Sequence, residues 1–541
     1  VPVSLRRPAV WPIVSCAAFL AISILILPLP GIQNDEALFC VPLYRPPDPS
    51  LSISIHHHLH QVMLMSYLGA LKAWIFRPIF WMFQPSVWSL RLPAALIGML
   101  TIGLTWIYTR RVAGLQAAAI TSVLLATDPS FLLTNTFDWG PVALQHVFLM
   151  LGLVCFTRWL DRGEPAALAF AFFAWGLGLW DKALFVWPLS GLAIAAVCVY
   201  PRQVLERLKP RTIAIAAASF GLGALPLIGY NIRHPGRTFT ENSHFSLAGF
   251  GIKADALRKT LDGSIMFDAL PSYSPAPASS RVIGGWARAS VWLSQHAGNH
   301  HRTLLIAGLG IAILLAIVAM NRAADRPQRR QIVFLLVAMA IAFLQMAATP
   351  GAGAAAHHEI LLWPFPVIVA AMGFARLSGS RVRAWRGISI AAVALLCAEN
   401  LLTDNQYIAA LLTNGPSLIW TDALDGLVQS VRAQPGRRFE IVDWGYQNSL
   451  TLLSRGKVDV DGRADCLAAS IAANSDCGLP AVLTRPEVEF IQHTPENQLF
   501  QGVDERLTQI AANAGAREVI DRVIFDSFGR PVFQLVHFER R

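Results

Sequence analysis

The stretch Trp11-Pro-Ile-Val-Ser-Cys-Ala-Ala-Phe-Leu-Ala-Ile-Ser-Ile-Leu-Ile-Leu-Pro-Leu-Pro-Gly31-Ile-Gln-Asn-Asp35-Glu36 joins an apolar run directly to two adjacent carboxylates. A membrane-spanning helix needs roughly 20 predominantly apolar residues, and Trp11 to Leu29 supplies that length. Arg6 and Arg7 precede the run as in a signal peptide, but no small-residue cleavage site follows it. The run therefore reads as an uncleaved first helix, with a cleaved signal as the alternative.

Outward from this stretch, similar runs recur to about residue 402 and then stop. Of the 541 residues 54% are hydrophobic and only 14% charged, a composition suited to lipid rather than water. Eleven spans fit, at about 10–30, 90–109, 115–133, 142–157, 166–180, 183–200, 212–230, 303–320, 331–349, 360–375 and 387–402. The expected fold class is an α-helical polytopic membrane protein, residues 1–402, followed by an exported α/β domain, residues 403–541. In that domain, Phe439 to Asp443 and the segment from Val523 to Val536 pattern as strands, the second broken by a hairpin turn. Gln498 to Ala514 has helical spacing. Cys466 and Cys477 lie close enough in sequence for a disulfide, with two free thiols as the alternative.

The net charge of +10 does not indicate nucleic acid, because the cations sit in short clusters between apolar runs. One set of loops holds Arg6/Arg7, Arg110/Arg111, Arg158/Arg162, Arg202/Arg207/Lys209/Arg211, Arg322/Arg326/Arg329/Arg330 and Arg376/Arg381/Arg383/Arg386. By the positive-inside rule these are cytoplasmic. The N-terminus is then inside, in a plasma or inner membrane. Facing outward are residues 31–89, the Asp138 turn, the Asp181-Lys182 turn, 231–302, 350–359 and everything after 403. His60 to Phe83 is apolar but carries Lys72, Arg77 and Pro78. It is expected to form one or two amphipathic helices in the outer interface, with Trp74, Trp81 and Trp88 at headgroup level.

Ionisable residues at span ends on one side of a membrane are candidate functional groups. Asp35, Glu36, Asp138, Lys182, Arg91, His357, His358 and Glu359 all fall on the outer side. A carboxylate there can take the proton of an acceptor hydroxyl while cations balance a phosphate leaving group. Other readings stand beside this one. Asp138 suits a cap for the helix beginning near Pro141, Lys182 an ion pair with Asp181, and Arg91 a headgroup anchor.

The acidic pair in Gly31-Ile-Gln-Asn-Asp-Glu-Ala resembles the Asp-Glu motif of the GT-C class of multi-spanning glycosyltransferases, which includes the protein O-mannosyltransferases and the lipid A aminoarabinose transferase. The resemblance continues in Arg91-Leu-Pro-Ala-Ala-Leu-Ile-Gly, in Leu125-Ala-Thr-Asp-Pro-Ser-Phe-Leu and in the Asp138 turn. It extends to Gly176-Leu-Gly-Leu-Trp-Asp-Lys-Ala-Leu-Phe-Val-Trp-Pro-Leu and His357-His-Glu-Ile-Leu-Leu-Trp-Pro-Phe-Pro.

It implies an inverting transfer of a hexosyl or pentosyl group from a polyprenyl-phosphate sugar to an unknown protein, lipid or glycan acceptor outside the membrane. Asp35 would be the general base, beside Glu36, with Asp138 orienting the acceptor or a cation. Lys182, Arg91, His357 and His358 would meet the donor phosphate. A divalent cation held by Asp35 and Asp138 is the one cofactor it implies. Where relatives have a His or Lys before Pro-Pro-Leu, this chain has His56-His57-His58-Leu59-His60, placed as a polar interfacial or phosphate-contacting stretch, with zinc binding as the lesser alternative. The alternatives are a transporter or flippase of a lipid-linked substrate, and a non-catalytic envelope assembly protein. The tail lies outside the resemblance. A chain ending after Ala410 is expected to bind donor but fail to reach the native acceptor.

Overall fold

The computed structural model describes residues 10–242, 244–274, 282–297, 304–318, 326–380, 382–473 and 475–541. Arg6, Arg7, Arg322 and Arg381 of the basic clusters, and part of the expected outer loop 231–302, fall outside these.

The apolar runs are helices. They comprise α1 (Val10–Ile26), α4 (Val87–Ala113), α5 (Leu115–Thr127) bent into α6 (Pro129–Phe137), α7 (Val142–Arg162), α8 (Pro165–Asp181) and α9 (Val186–Val199). There follow α10 (Pro210–Gly223), α11 (Leu225–Arg233), α12 (Leu305–Val318), α13 (Arg326–Ala348), α14 (Phe365–Ser378) and α15 (Arg383–Thr413). Two short helices complete the numbering, α2 (Asn34–Leu38) and α3 (Leu71–Met82).

By length and hydropathy, α4, α7, α13 and α15 each suffice to cross a bilayer. Four bent pairs can each serve as a further span. Three shorter apolar helices, α1, α8 and α12, account for the remaining expected runs. The 60° bend between α5 and α6 has a local cause. Pro129 has no N–H to continue α5 and is well placed at the first position of a new helix, while Asp128 Oδ1 accepts from Phe131 N at 2.8 Å as its N-cap. Small residues let the helices approach closely. A Cβ on Gly176 would lie 2.3 Å from Phe220 O, and one on Gly191 would lie 2.4 Å from Ala338 O.

The loop expected at residues 31–89 corrects one expectation. Only Leu71–Met82 of the stretch His60 to Phe83 is helical. Before it come hairpins, β1 (Ser52–Ile55) with β2 (His58–Gln61), and β3 (Met63–Met65) with β4 (Leu68–Gly69). His56 and His57 form the two-residue turn with φ of 50° and 65°, as a type I′ hairpin requires. His56, His57 and His58 are exposed at the hairpin tip. Helix α3 is amphipathic as expected: Leu71, Lys72, Ala73, Phe76 and Phe80 face inward, while Trp74 and Trp81 are exposed.

Helix α15 runs to Thr413, past the expected end at 402. Beyond it lies a five-stranded mixed sheet of order β6-β5-β7-β9-β8. Its strands are β5 (Arg438–Ile441), β6 (Asp459–Gly462), β7 (Val488–His493), β8 (Ala516–Phe525) and β9 (Pro531–Arg540). Strand β5 is parallel to β6 and β7, and β8 and β9 form the expected hairpin. Helix Val503–Asn513 lies within the segment expected to be helical. Cys466 and Cys477 are disulfide-bonded, with Cα atoms 6.0 Å apart.

Within the sheet's core, burial alone would raise Asp443, but the His493 ring at 2.6 Å and the amides of Leu499 and Phe500 hold it below the usual carboxylate range. Tyr446 is a core residue whose hydroxyl donates to Ile491 O at 2.6 Å.

Candidate active site

Helix α2 begins directly after the first span because Gln33 caps it. The Gln33 side chain accepts from Glu36 N at 3.0 Å, and Glu36 Oε2 returns a contact to Gln33 N at 3.3 Å. Helical spacing then turns the two acids in different directions. Glu36 is fully buried, while Asp35 is half-buried.

Glu36 faces Arg91. The guanidinium grips it through Nε at 2.7 Å and Nη2 at 2.8 Å, and its other N–H groups go to Leu27 O at 2.6 Å, Pro30 O at 2.8 Å and Gly31 O at 2.6 Å. All five donors are thus engaged within the protein. Arg91 has no N–H left for a donor phosphate, and Glu36 is bound in a bidentate pair. Together they tie the end of α1 and the acidic turn to α4.

Asp138 ends α6 in the left-handed conformation, φ 50°. Its Oδ1 accepts from Ala143 N at 2.9 Å, the capping arrangement, and its Oδ2 lies 2.7 Å from Lys72 Nζ. Both partners of that ion pair are buried. Lys72, a lysine on the inward face of an otherwise apolar helix, was a signal the interfacial reading passed over.

Lys182 interrupts the α8–α9 pair with extended backbone, φ −154° and ψ 121°, and bridges Leu68 of β4. Among the described residues no hydrogen bond or ion pair reaches its ammonium, yet it is 3% exposed and lies within electrostatic reach of Asp181, Asp35 and Asp138. Asp181 is fully buried, and neither carboxylate oxygen accepts a hydrogen bond from a described residue.

His357 and His358 are half-buried, with ring centroids 4.1 Å apart. His357 packs 4.7 Å from Trp139, whose Nε1 donates to Asp35 Oδ2 at 3.5 Å. Trp139 therefore links the first acidic turn to the late histidines, a role that the aromatic residue after Asp138 did not reveal in sequence. Trp420, from the segment after α15, meets Trp139 at 5.9 Å. Gly31 N donates to Trp420 O at 2.7 Å, and a Cβ on Gly31 would lie 1.9 Å from Thr421 O. That approach is open to glycine alone.

The donor set does not fit the divalent cation expected between Asp35 and Asp138. Asp138 already uses one oxygen on a backbone amide and the other on an ammonium. Among the described residues no three His, Cys, Asp or Glu side chains converge as metal ligands.

Comparisons with known proteins were made against this geometry. Residues 69–222 match the family described as Dolichyl-phosphate-mannose-protein mannosyltransferase. A comparison with curated protein sequences finds no match. The structure of ArnT from Cupriavidus metallidurans bound to undecaprenyl phosphate is similar over 97% of this chain and 98% of its own, with 13% identity and a TM-score of 0.57. The apo state of the same protein gives a TM-score of 0.59 at 13% identity, over 97% of each chain. Archaeal oligosaccharyltransferase AglB from Archaeoglobus fulgidus, in complex with an inhibitory peptide and a dolichol-phosphate, is similar over 94% of this chain and 69% of its own, with 14% identity and a TM-score of 0.52. The chain thus has the polytopic fold of these GT-C membrane proteins, with a sheet-bearing region after the last long helix.

Proposed function

We propose that this chain is a membrane glycosyltransferase that moves a sugar from a polyprenyl-phosphate carrier to an acceptor hydroxyl on the outer face of the membrane. The observation that carries the reading is the position of Asp35. It is the half-exposed carboxylate in a cluster whose other acids, Glu36, Asp138 and Asp181, are buried. A base must reach its substrate, and Asp35 has that access.

In the proposed step the acceptor oxygen attacks the anomeric carbon from the side opposite the phosphate. The new carbon–oxygen bond forms as the bond to the phosphate oxygen breaks. The electron pair stays on the phosphate, and the hydroxyl proton passes to Asp35. Lys182, whose ammonium has no hydrogen-bonding partner among the described residues, is suited to balance the leaving phosphate, with His357 and His358 beside it. Lys72 and the Ala143 amide hold Asp138 in place, so its part is to shape the site electrostatically. Support for a lipid-phosphate donor comes from the fold shared with a protein solved with undecaprenyl phosphate.

The test is sugar transfer by purified protein with polyprenyl-phosphate sugars. Asp35→Asn should lower the rate by roughly 10²–10⁴-fold, the usual contribution of a general base, while leaving donor binding intact. Unchanged transfer in Asp35→Asn removes the base assignment.

A further inference from the structure

A recess of about 690 Å³ lies between the turn joining α3 to α4 and the sheet-bearing C-terminal region. Gln84 borders it on one side. Arg432, Arg437, Arg455 and Lys457 border it on the other, with Asp459 the one acid among its lining residues. These cations are little used by the protein. Arg432 Nη2 donates to Leu453 O at 2.6 Å, and Arg437 lies 3.9 Å from Glu489. The side chains of Arg455 and Lys457 have no hydrogen bond or ion pair with any described residue, and both are exposed.

The basic turn is held in place. Gly456 has φ 64°, and a Cβ there would lie 2.1 Å from Tyr44 O. The 455–457 turn is therefore pressed onto the first outer loop by a glycine contact, which fixes where its two cations sit.

The level of the recess relative to the bilayer follows from its neighbours. Trp81 is 88% exposed, Met82 63% and Phe83 61%, immediately before Gln84, and Trp88 at the start of α4 is 46% exposed. Exposed aromatic rings at the end of a spanning helix mark headgroup depth. The cations and the exposed apolar segment that ends at Gln84 thus meet at one recess, the pairing that an anionic lipid presents in mirror image. A solvated basic face accounts for the cations but not for the exposed Trp81, Met82 and Phe83 that lead into Gln84.

We propose that this recess binds the phosphate headgroup of an anionic bilayer lipid, whose acyl chains run down beside Trp81, Phe83 and Trp88. The bound lipid would fasten the C-terminal region over the acidic turn, since the same turn touches Tyr44.

The full chain, purified and reconstituted in nanodiscs of phosphatidylcholine with a minority of phosphatidylglycerol, is stripped gradually with detergent, and the retained lipids are counted by native mass spectrometry. Wild type should retain phosphatidylglycerol over phosphatidylcholine by about a hundredfold, the order expected for three interfacial cations. The triple variant Arg432→Ala, Arg455→Ala, Lys457→Ala should fall to parity, while Arg455→Lys with Lys457→Arg keeps the preference. Parity in wild type, or an undiminished preference in the triple variant, overturns the proposal. Displacement of the phosphatidylglycerol by millimolar inorganic phosphate also overturns it, since the recess would then be a site for free anions.

Discussion

Lys72 and Asp138 form a buried ion pair, Nζ to Oδ2 at 2.7 Å, between α3 and the end of α6. Breaking such a pair by removing one partner costs about 3–5 kcal/mol, whereas replacing both is close to neutral. Lys72→Met alone should therefore destabilise the detergent-solubilised protein markedly, and Lys72→Met with Asp138→Asn should recover most of the loss. Thermal unfolding of the four members of that cycle measures the coupling. Equal stability of wild type and Lys72→Met would show that the pair carries no weight.

With an ammonium already on Asp138, added chelator should leave the transfer rate of wild type unchanged. The rate measured before and after dialysis against EDTA checks this. A loss restored by Mn²⁺ or Mg²⁺ would mean that Lys72 moves off Asp138 to admit a metal.

Arg91 acts as a clamp, so its substitution should damage the fold rather than donor affinity. Arg91→Lys keeps the charge but loses the planar fork that reaches Glu36 and three carbonyls. We expect a loss of about 3 kcal/mol or more, in the range of a broken buried pair, with unchanged donor Kd in the molecules that remain folded. Weakened donor binding at full stability would return Arg91 to the phosphate.

Lys182 carries the opposite expectation. Lys182→Ala removes an ammonium with no hydrogen-bonding partner among the described residues, so donor affinity should drop while the melting temperature holds or rises. Titration of a fluorescent polyprenyl-phosphate analogue separates the two effects. Unchanged donor affinity would leave Lys182 a helix-end anchor.

The tail is built into the acidic loop. Leu452 is fully buried in one cluster with Ile32, Ala37, Cys40 and Phe76, Asn448 N donates to Asn34 Oδ1 at 2.9 Å, and Arg45 reaches Thr451 Oγ1 at 3.0 Å. Truncation after Ala410 should therefore abolish donor binding as well as transfer, contrary to the expectation from sequence. The milder Leu452→Ala should cost about 2–5 kcal/mol, as other buried leucines do. Donor binding by the truncated chain, measured in detergent, would show the two parts to be independent.

The orientation is open to thiol labelling. A cysteine at Gln203, exposed within a basic cluster, should be shielded from an impermeant reagent in intact cells, while one at exposed Gln501 should react. Reaction at Gln203 would reverse every loop.

The sequence by itself was enough for the helical architecture, because burying apolar side chains in lipid is a local demand that each run of about 20 residues meets alone. The strands near residues 438 and 520–536 and the Cys466–Cys477 pairing were legible for related reasons of period and proximity. What only tertiary structure decided is how charge is distributed among residues far apart in the chain. Sequence placed Glu36, Arg91 and Asp138 on one face beside Asp35 with separate roles, and the structure sorts them by burial. Arg91 spends its five N–H groups on carbonyls and Glu36, and Asp138 is occupied by Lys72 and a backbone amide, which leaves Asp35 half-open. No spacing rule pairs residue 72 with 138 or sets Trp420 on Gly31. Those contacts depend on which helix ends meet at one surface, where a buried charge such as Glu36 or Asp138 is stabilised by the partner the fold brings to it.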